Sequence, residues 1–394
     1  MLEKAGHRVV RYEKSNADIR ENGIFRKIPL ALRTIWNWRT FAEVRRIVRD
    51  EKPDVVHCHN TFPAISPSVY WAAALEGVPV VQTLHNYRLA CLNGYFFRNG
   101  RICEKCLGKV PWRGVCLGCY RSSRLQSAAV AAMLVFHRAI GTWRNKVCRY
   151  VALTDFAKSK FAAAGIPAGK IVVKPNAFVP QESGTGASGS GAECGGFRLQ
   201  ATAASPVVLY LGRLSAEKGP DVLVAAWRLL RGKSGDGPAK RATLVLAGDG
   251  PERKALEEAA AGLQDVEFLG QVPKNGVSAL LARASALVLP SRCHEQFSTT
   301  VMEAMSHGVP AVVSRSAVHG TLVCDGVSGL HFDSGDPSSL AQALENLLSD
   351  PKRLSRMGEA AREAFLESDC VPSRNVAKLV EIYRGCAKGA CPAN

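Results

Sequence analysis

Two glutamates, Glu295 and Glu303, stand eight positions apart. Ahead of them Ala286-Leu287-Val288-Leu289-Pro290 is a short apolar run that reads as a buried strand. Behind them Ala304-Met305 leads to Gly308-Val309-Pro310, a helix stop, and on to the strand Ala311-Val312-Val313. Glu295 then falls in a strand-to-helix loop and Glu303 about one turn into the helix. That puts two carboxylates at the carboxyl edge of a parallel sheet, beside a helix N-terminus that favours phosphate. Spacing alone serves a solvated loop carboxylate and a helix-surface carboxylate equally well, so the surroundings must decide.

A second stretch bears on that choice. Gly212-Arg213-Leu214-Ser215-Ala216-Glu217-Lys218-Gly219 follows the apolar run Val207–Leu211. Glycine lets backbone approach a ligand. Arg213 and Lys218 bring two positive charges to the end of that strand, where a diphosphate gaining charge as a leaving group would be stabilised. A loop arginine and lysine are ordinarily solvated, but here they share a domain with the paired glutamates.

The elements that must position these groups alternate strand and helix along the whole chain, which indicates parallel sheets covered by helices on both faces. The 394 residues divide into two Rossmann-like α/β domains facing a central cleft. The first spans 1–180, the second 206–370. Residues 181–205, rich in Gly and Ser without an apolar period, read as a flexible linker longer than a simple connection needs. Residues 371–394 form a C-terminal helix expected to pack back towards the first domain. The chain opens on what reads as the last turn of a helix, Met1–Gly6, followed by a strand over His7–Tyr12. This suggests a truncated start.

Charge narrows the partners. The net charge is +17, which favours anionic partners. Twelve Lys and Arg residues lie between Arg88 and Arg149, with Glu104 the only acid among them. A face directed at an anionic membrane or an acceptor accounts for that run; nucleic acid does not, since no nucleic-acid motif accompanies it. No apolar run is long enough to span a membrane, and no secretory signal is visible. Thirteen scattered cysteines argue for a reducing compartment rather than a disulfide framework. Together these features place the protein in the cytoplasm, with peripheral contact on the inner face of the membrane.

The ordered signatures Gly212-Arg213…Glu217-Lys218-Gly219, Ala247-Gly248-Asp249-Gly250-Pro251, Val266–Gly270, Glu295-x7-Glu303-Ala304-Met305…Gly308-Val309-Pro310 and Asp325–Leu330 resemble those of family 4 retaining glycosyltransferases of the GT-B fold. The resemblance covers nearly all of the second domain and, more weakly, Gly6 to Asn176. It implies transfer of a sugar from a nucleotide-diphosphate sugar to a sugar or lipid-linked acceptor in glycan or polysaccharide synthesis. Gly212, Arg213 and Lys218 would hold the donor diphosphate, Glu303 the ribose hydroxyls and Glu295 the donor sugar. Backbone amides of Gln296, Phe297 and Ser298 would touch sugar and phosphate. His85 would be the histidine near donor sugar and acceptor, so His85 and Glu295 are the catalytic candidates. No metal is implied for catalysis, and the anomeric configuration is kept by front-face attack assisted by the departing phosphate. The chain departs from the pattern at Gln296 and Ser298, where the family has glycines, and in lacking the family's first strand and glycine-rich loop. A non-catalytic or truncated nucleotide-sugar-binding protein and a nucleotide-sugar epimerase of the same fold are the alternatives.

Within the basic, cysteine-rich insertion at 88–120, Cys103-x2-Cys106 and Cys116-x2-Cys119 have the spacing of a four-thiolate zinc site; an iron–sulfur cluster is the other metal reading. Cys91 lies nearby. The family resemblance instead matches Cys91, Cys103, Cys106 and Cys119, with Cys116 outside the set. A structural zinc would fold a loop too short to build its own core; free or redox thiols are the competing account. Phe96, Phe97 and Trp112 of that loop would lie over the acceptor or on a membrane.

Overall fold

The computed structural model describes residues 1–15, 32–180, 205–232, 237–316 and 318–387. All but the last residue of the expected linker at 181–205 lies outside these. The chain divides into two compact units. One comprises Met1–Arg98, Cys103–Asn176 and the segment from Pro372 on, the other Asn99–Ile102 and Ala177–Val371.

The second unit holds β7 (Val207–Leu211), β8 (Thr243–Ala247), β9 (Val266–Gly270), β10 (Ala286–Leu289), β11 (Ala311–Ser314) and β12 (Gly329–Phe332). They pair in parallel in the order β12-β11-β10-β7-β8-β9. Every residue of β8, β10 and β11 is buried, which is why these strands read as unbroken apolar runs. Helices Pro220–Gly232 and Pro337–Leu348 pack one face around the fully buried Trp227. Helices Lys274–Arg283, Thr299–Ser306 and Pro351–Glu367 pack the other. From β7 the chain winds outwards through β8 to β9, and from β10 outwards through β11 to β12. The loops after β7 and β10 therefore flank the point where strand order reverses, the usual ligand crevice of a doubly wound sheet.

The first unit holds β1 (Val56–Cys58), β2 (Val80–Thr83), β5 (Arg149–Ala152) and β6 (Ile171–Val173), parallel in the order β1-β2-β5-β6. One expectation fails here. His7–Tyr12 joins no ladder; ion pairs of Arg11 with Glu3 (2.9 Å) and of Arg8 with Glu51 hold it instead. β1 is half-buried along its length, as befits an edge strand. The helix Pro372–Ala387 lies in this unit: Asn375 accepts from Lys174 Nζ at 2.6 Å, and Tyr383 and Cys386 pack with Val81, Cys148 and Val151.

The cysteine-rich segment is not coreless. Leu92 and Phe96 are fully buried in the first unit's core, so Phe96 is not free to cover an acceptor, while Trp112 is 59% exposed. Between them β3 (Phe97–Arg98) and β4 (Arg101–Ile102) form a hairpin turned at Asn99-Gly100, both at positive φ, as a tight two-residue turn demands.

Candidate functional site

The best-organised group of expected residues sits on the second unit's sheet at the reversal point. The loop after β7 ends at Gly219, whose φ is +66° and where a Cβ would fall 2.2 Å from Pro290 O. Only glycine permits that approach to the loop after β10. Arg292 locks the two loops: its N–H donates to Glu217 O at 2.9 Å and its guanidinium to Ala216 O at 2.8 Å. On the other side Gly248 (φ +146°) lies so close to the β7 loop that a Cβ would fall 1.8 Å from Gly212 O.

This packing carries Lys218 to Glu295, with Nζ 2.8 Å from Oε1. Ser291 also donates to that carboxylate. Glu295 is 7% exposed. Burial alone would raise its carboxyl, but the charges of Lys218 and His319 and the hydrogen bonds from Lys218 and Ser291 outweigh it, and the group is held below the usual carboxylate range. Burial likewise opposes the charge on Lys218, and Glu295 overrides it, raising the ammonium. Both members of the pair are therefore ionised at neutral pH. Arg213 is exposed at the mouth of the same loop, and its carbonyl accepts from the Tyr210 hydroxyl at 2.7 Å, which fixes the backbone beneath it. Gln296 and Ser298 are buried and Phe297 half-buried. The Ser298 hydroxyl caps the helix Thr299–Ser306, accepting from Val301 N. Glu303 is half-buried on that helix, and burial pushes its carboxyl up against a weaker opposing pull from Lys274.

His319 was not foreseen. It is 1% exposed, its Nδ1 bonds Ser314 O at 2.8 Å, and it lies within electrostatic reach of Glu295, but burial lowers its imidazole below the ordinary value, so at neutral pH Lys218 is the cation that holds the carboxylate. Nothing in the local pattern after β11 marks it.

In the first unit His85 follows β2 and is exposed. Its Nε2 shares a hydrogen bond with His59 Nδ1 at 2.9 Å. The His59 ring stacks on His57 at 4.3 Å between centroids, and His57 bonds Thr83 Oγ1 at 2.7 Å and the Tyr383 hydroxyl. His57 is half-buried, and burial, then neighbouring histidine and Lys174 charges, lower it to about 3; His59 and His85 each keep an exposed face, and the packed side of each ring, desolvated by its neighbours, shifts them in the same direction, His85 to about 4. All three rings are neutral at pH 7. His57 and His59 were missed by the sequence reading. The available signal was that β1 and β2 each run into a histidine at the same edge, in the register Cys58↔Gln82.

The cysteines divide differently from their spacing. Cys91, Cys103, Cys106 and Cys119 lie within electrostatic reach of one another, whereas Cys116 is exposed. Burial raises the Cys91, Cys106 and Cys119 thiols, and Cys91 Sγ donates to Asn93 Oδ1 at 3.1 Å. Among the described residues no group of three or more His, Cys, Asp or Glu is gathered so as to hold a metal ion. The thiols as placed do not form the expected zinc cage. Cys148 is disulfide-bonded, an exception to the all-thiol tendency read from the composition. No helix among the described residues is long and apolar enough to cross a membrane.

Residues 2–177 match the model of the glycosyl transferase 4-like domain, and residues 197–364 that of glycosyl transferases group 1. A glycogen synthase of Mycobacterium tuberculosis is 33% identical over 186 residues, 46% of this chain and 43% of its own. A GDP-mannose-dependent alpha-(1-6)-phosphatidylinositol monomannoside mannosyltransferase of Mycolicibacterium smegmatis is 32% identical over 189 residues, 46% of this chain and 48% of its own. The chain thus spans about half the length of these relatives. Among solved structures, Anabaena HepE in complex with UDP superposes with a TM-score of 0.60 at 19% identity, covering 86% of this chain and 81% of that one. The sucrose-phosphate synthase of Thermosynechococcus elongatus gives 0.62 at 18% identity, with 89% and 77% covered. At these identities the structures establish the fold: α/β, with one parallel sheet in each domain, as in GT-B glycosyltransferases.

Proposed function

We propose, since the chain belongs to the group 1 glycosyltransferases of family 4 and the GT-B fold, that it moves a sugar from a nucleotide-diphosphate sugar to a hydroxyl of a sugar or lipid-linked acceptor, with retention. The observation that carries this reading is the Lys218–Glu295 pair, set at the reversal point of the second unit's sheet with Arg213 exposed beside it. Arg213 and Lys218 meet the donor diphosphate and stabilise the charge it gains as the glycosidic C–O bond breaks. Lys218 has further N–H groups beyond the one directed at Glu295, so the two contacts are compatible. Glu295, kept ionised, accepts hydrogen bonds from donor-sugar hydroxyls. Glu303 takes the ribose diol, whose two O–H donors would oppose the upward push of burial on its carboxyl. The acceptor oxygen attacks the anomeric carbon on the face the diphosphate leaves, and the acceptor proton passes to a departing phosphate oxygen. Arg213 and Lys218 supply the positive charge that this requires, so no catalytic metal is invoked. The neutral His85–His59 pair serves the acceptor side.

The same reading includes peripheral contact with an anionic membrane. Its support is the segment after β4, where exposed Val110, Trp112 and Leu125 alternate with Lys109, Arg113 and Arg124.

The test is a donor screen on the full chain with UDP- and GDP-sugars, scored by product identification with and without acceptors. Transfer that falls in both Lys218→Ala and Glu303→Ala is expected. Unchanged turnover in both would sink the assigned roles, an epimerised donor would replace transfer by isomerisation, and binding without product would leave a non-catalytic protein.

A further inference from the structure

At the carboxyl edge of the four-stranded sheet lies a recess whose lining includes His59, Phe62, Tyr70, His85, Arg88 and Trp143. It holds about 460 Å³ of non-atom space, the solvent at its mouth included. No acidic residue lines it, and with the histidines neutral Arg88 is its one full charge.

Arg88 is unusually placed for an arginine. Its guanidinium packs against two aromatic rings that themselves meet edge to face, 4.6 Å from the Phe62 centroid and 5.0 Å from that of Tyr120. One N–H donates to Leu92 O at 3.0 Å. Among the described residues no carboxylate pairs with it. A second cation, Arg121, lies over the same Tyr120 ring at 5.6 Å and within electrostatic reach of Arg88. The single acid of the basic segment, Glu104, is already bound to Lys160 at 2.6 Å. Aromatic faces offset part of the cost of withdrawing a guanidinium from water, but they supply no counter-charge. The planar fork, held by its contacts with the two rings and by Leu92, is preorganised for an oxyanion.

We propose that this recess binds an oxyanion carried by the acceptor, a phosphate ester, with Arg88 as its counter-ion. The inference rests on the glycosyl-transfer reading only for the word acceptor; the anion site itself stands on the recess. A soluble sugar phosphate and a lipid-linked phosphate are the two sources of the same group. The amides and hydroxyls beside Arg88, among them Asn60 and Thr61, suit the hydroxylated part of either.

The experiment uses the full chain with UDP in excess, so that the phosphate-binding loop of the second unit is filled. Glucose 6-phosphate and glucose are titrated calorimetrically, and sedimentation is measured with phosphatidylcholine vesicles containing or lacking a polyprenyl phosphate. Binding of glucose 6-phosphate at least about tenfold tighter than of glucose is expected, since a charge-assisted hydrogen bond is worth roughly 1.5–3 kcal/mol. If the lipid is the source, the preference appears with the polyprenyl phosphate vesicles instead. Arg88→Gln should abolish the preference, and Arg88→Lys should restore part of it. The wild-type comparison of phosphorylated with neutral sugar needs no variant and stands even if Arg88→Gln unfolds. Equal binding of both sugars together with indifference to the vesicle phosphate overturns the proposal, as does a preference that survives Arg88→Gln. Failure of the chain to bind UDP would instead count against glycosyl transfer and leave the anion site to be judged on its own titration.

Discussion

The carboxyl edge of the six-stranded sheet carries its own counter-charges, and that of the four-stranded sheet does not. In the second unit Lys218 and Glu295 neutralise each other under tight loop packing, with Ser291 and His319 adding further support. In the first, three histidines packed ring to ring are lowered below their ordinary value, and one arginine faces a recess without an acid. A paired edge is organised before its ligand arrives, which is what charge stabilisation in a transition state requires. An edge made of neutral rings and one uncompensated cation completes itself through what binds to it.

The largest effect should come from breaking the paired edge. Lys218→Ala leaves a buried carboxylate without its cation and removes a phosphate contact; a fall in kcat/KM of about 100-fold or more is expected in the transfer assay. A loss of less than threefold would mean that the pair is merely structural. Next is the packing that sets the pair. Gly248→Ala places a Cβ 1.8 Å from Gly212 O, and urea denaturation should show a loss of roughly 3 kcal/mol or more. An unshifted midpoint would show that the β7 loop can retreat, and with it Lys218.

The unpaired edge should respond to acid. Since burial lowers His57 to about 3 and His85 to about 4 from an ordinary 6.5, and His59 in the same direction, the unfolded chain takes up protons that the folded one refuses. The contribution of these rings is complete above pH 6.5 and is lost as pH falls through the folded values. Melting temperature should decline from pH 7 towards pH 4, and His57→Asn should flatten the slope. A profile equally steep in the variant would place the acid sensitivity elsewhere. The Glu295 carboxylate, lowered rather than raised, loses its contribution only below the ordinary carboxylate range. The smallest effect is expected at Cys116, exposed and apart from the other thiols. Cys116→Ser should change stability by no more than about 0.5 kcal/mol, whereas Cys91→Ser disturbs a thiol bonded to Asn93. Equal losses at both would restore Cys116 to the cluster.

The second unit was legible because its strands are buried on both faces. β8, β10 and β11 leave unbroken apolar runs between glycine-bearing loops, and a doubly wound sheet puts the ends of such runs on one edge. Glu295, Glu303, Arg213 and Lys218 could therefore be assigned to the ends of such runs from spacing, though the meeting of Lys218 with Glu295 could not. Edge strands write a weaker pattern: β1 is half-buried along its length, while His7–Tyr12 has a strand composition but pairs with no strand among the described residues. The cysteines show the same boundary. Their spacing fits a metal site, yet the fold exposes Cys116, brings in Cys91 and buries Leu92 and Phe96 in the first unit's core.

By itself the amino-acid sequence determined the alternation of elements, the two α/β domains and the chemistry available at each strand end, because local periodicity and chain order carry that information. Only the tertiary structure decided which charges meet. Lys218 and Glu295 are 77 positions apart and His57 and Tyr383 are 326 apart, and no local pattern encodes a pairing across that distance. That no carboxylate among the described residues pairs with Arg88 is likewise a property of what folds around it, not of its neighbours in the chain.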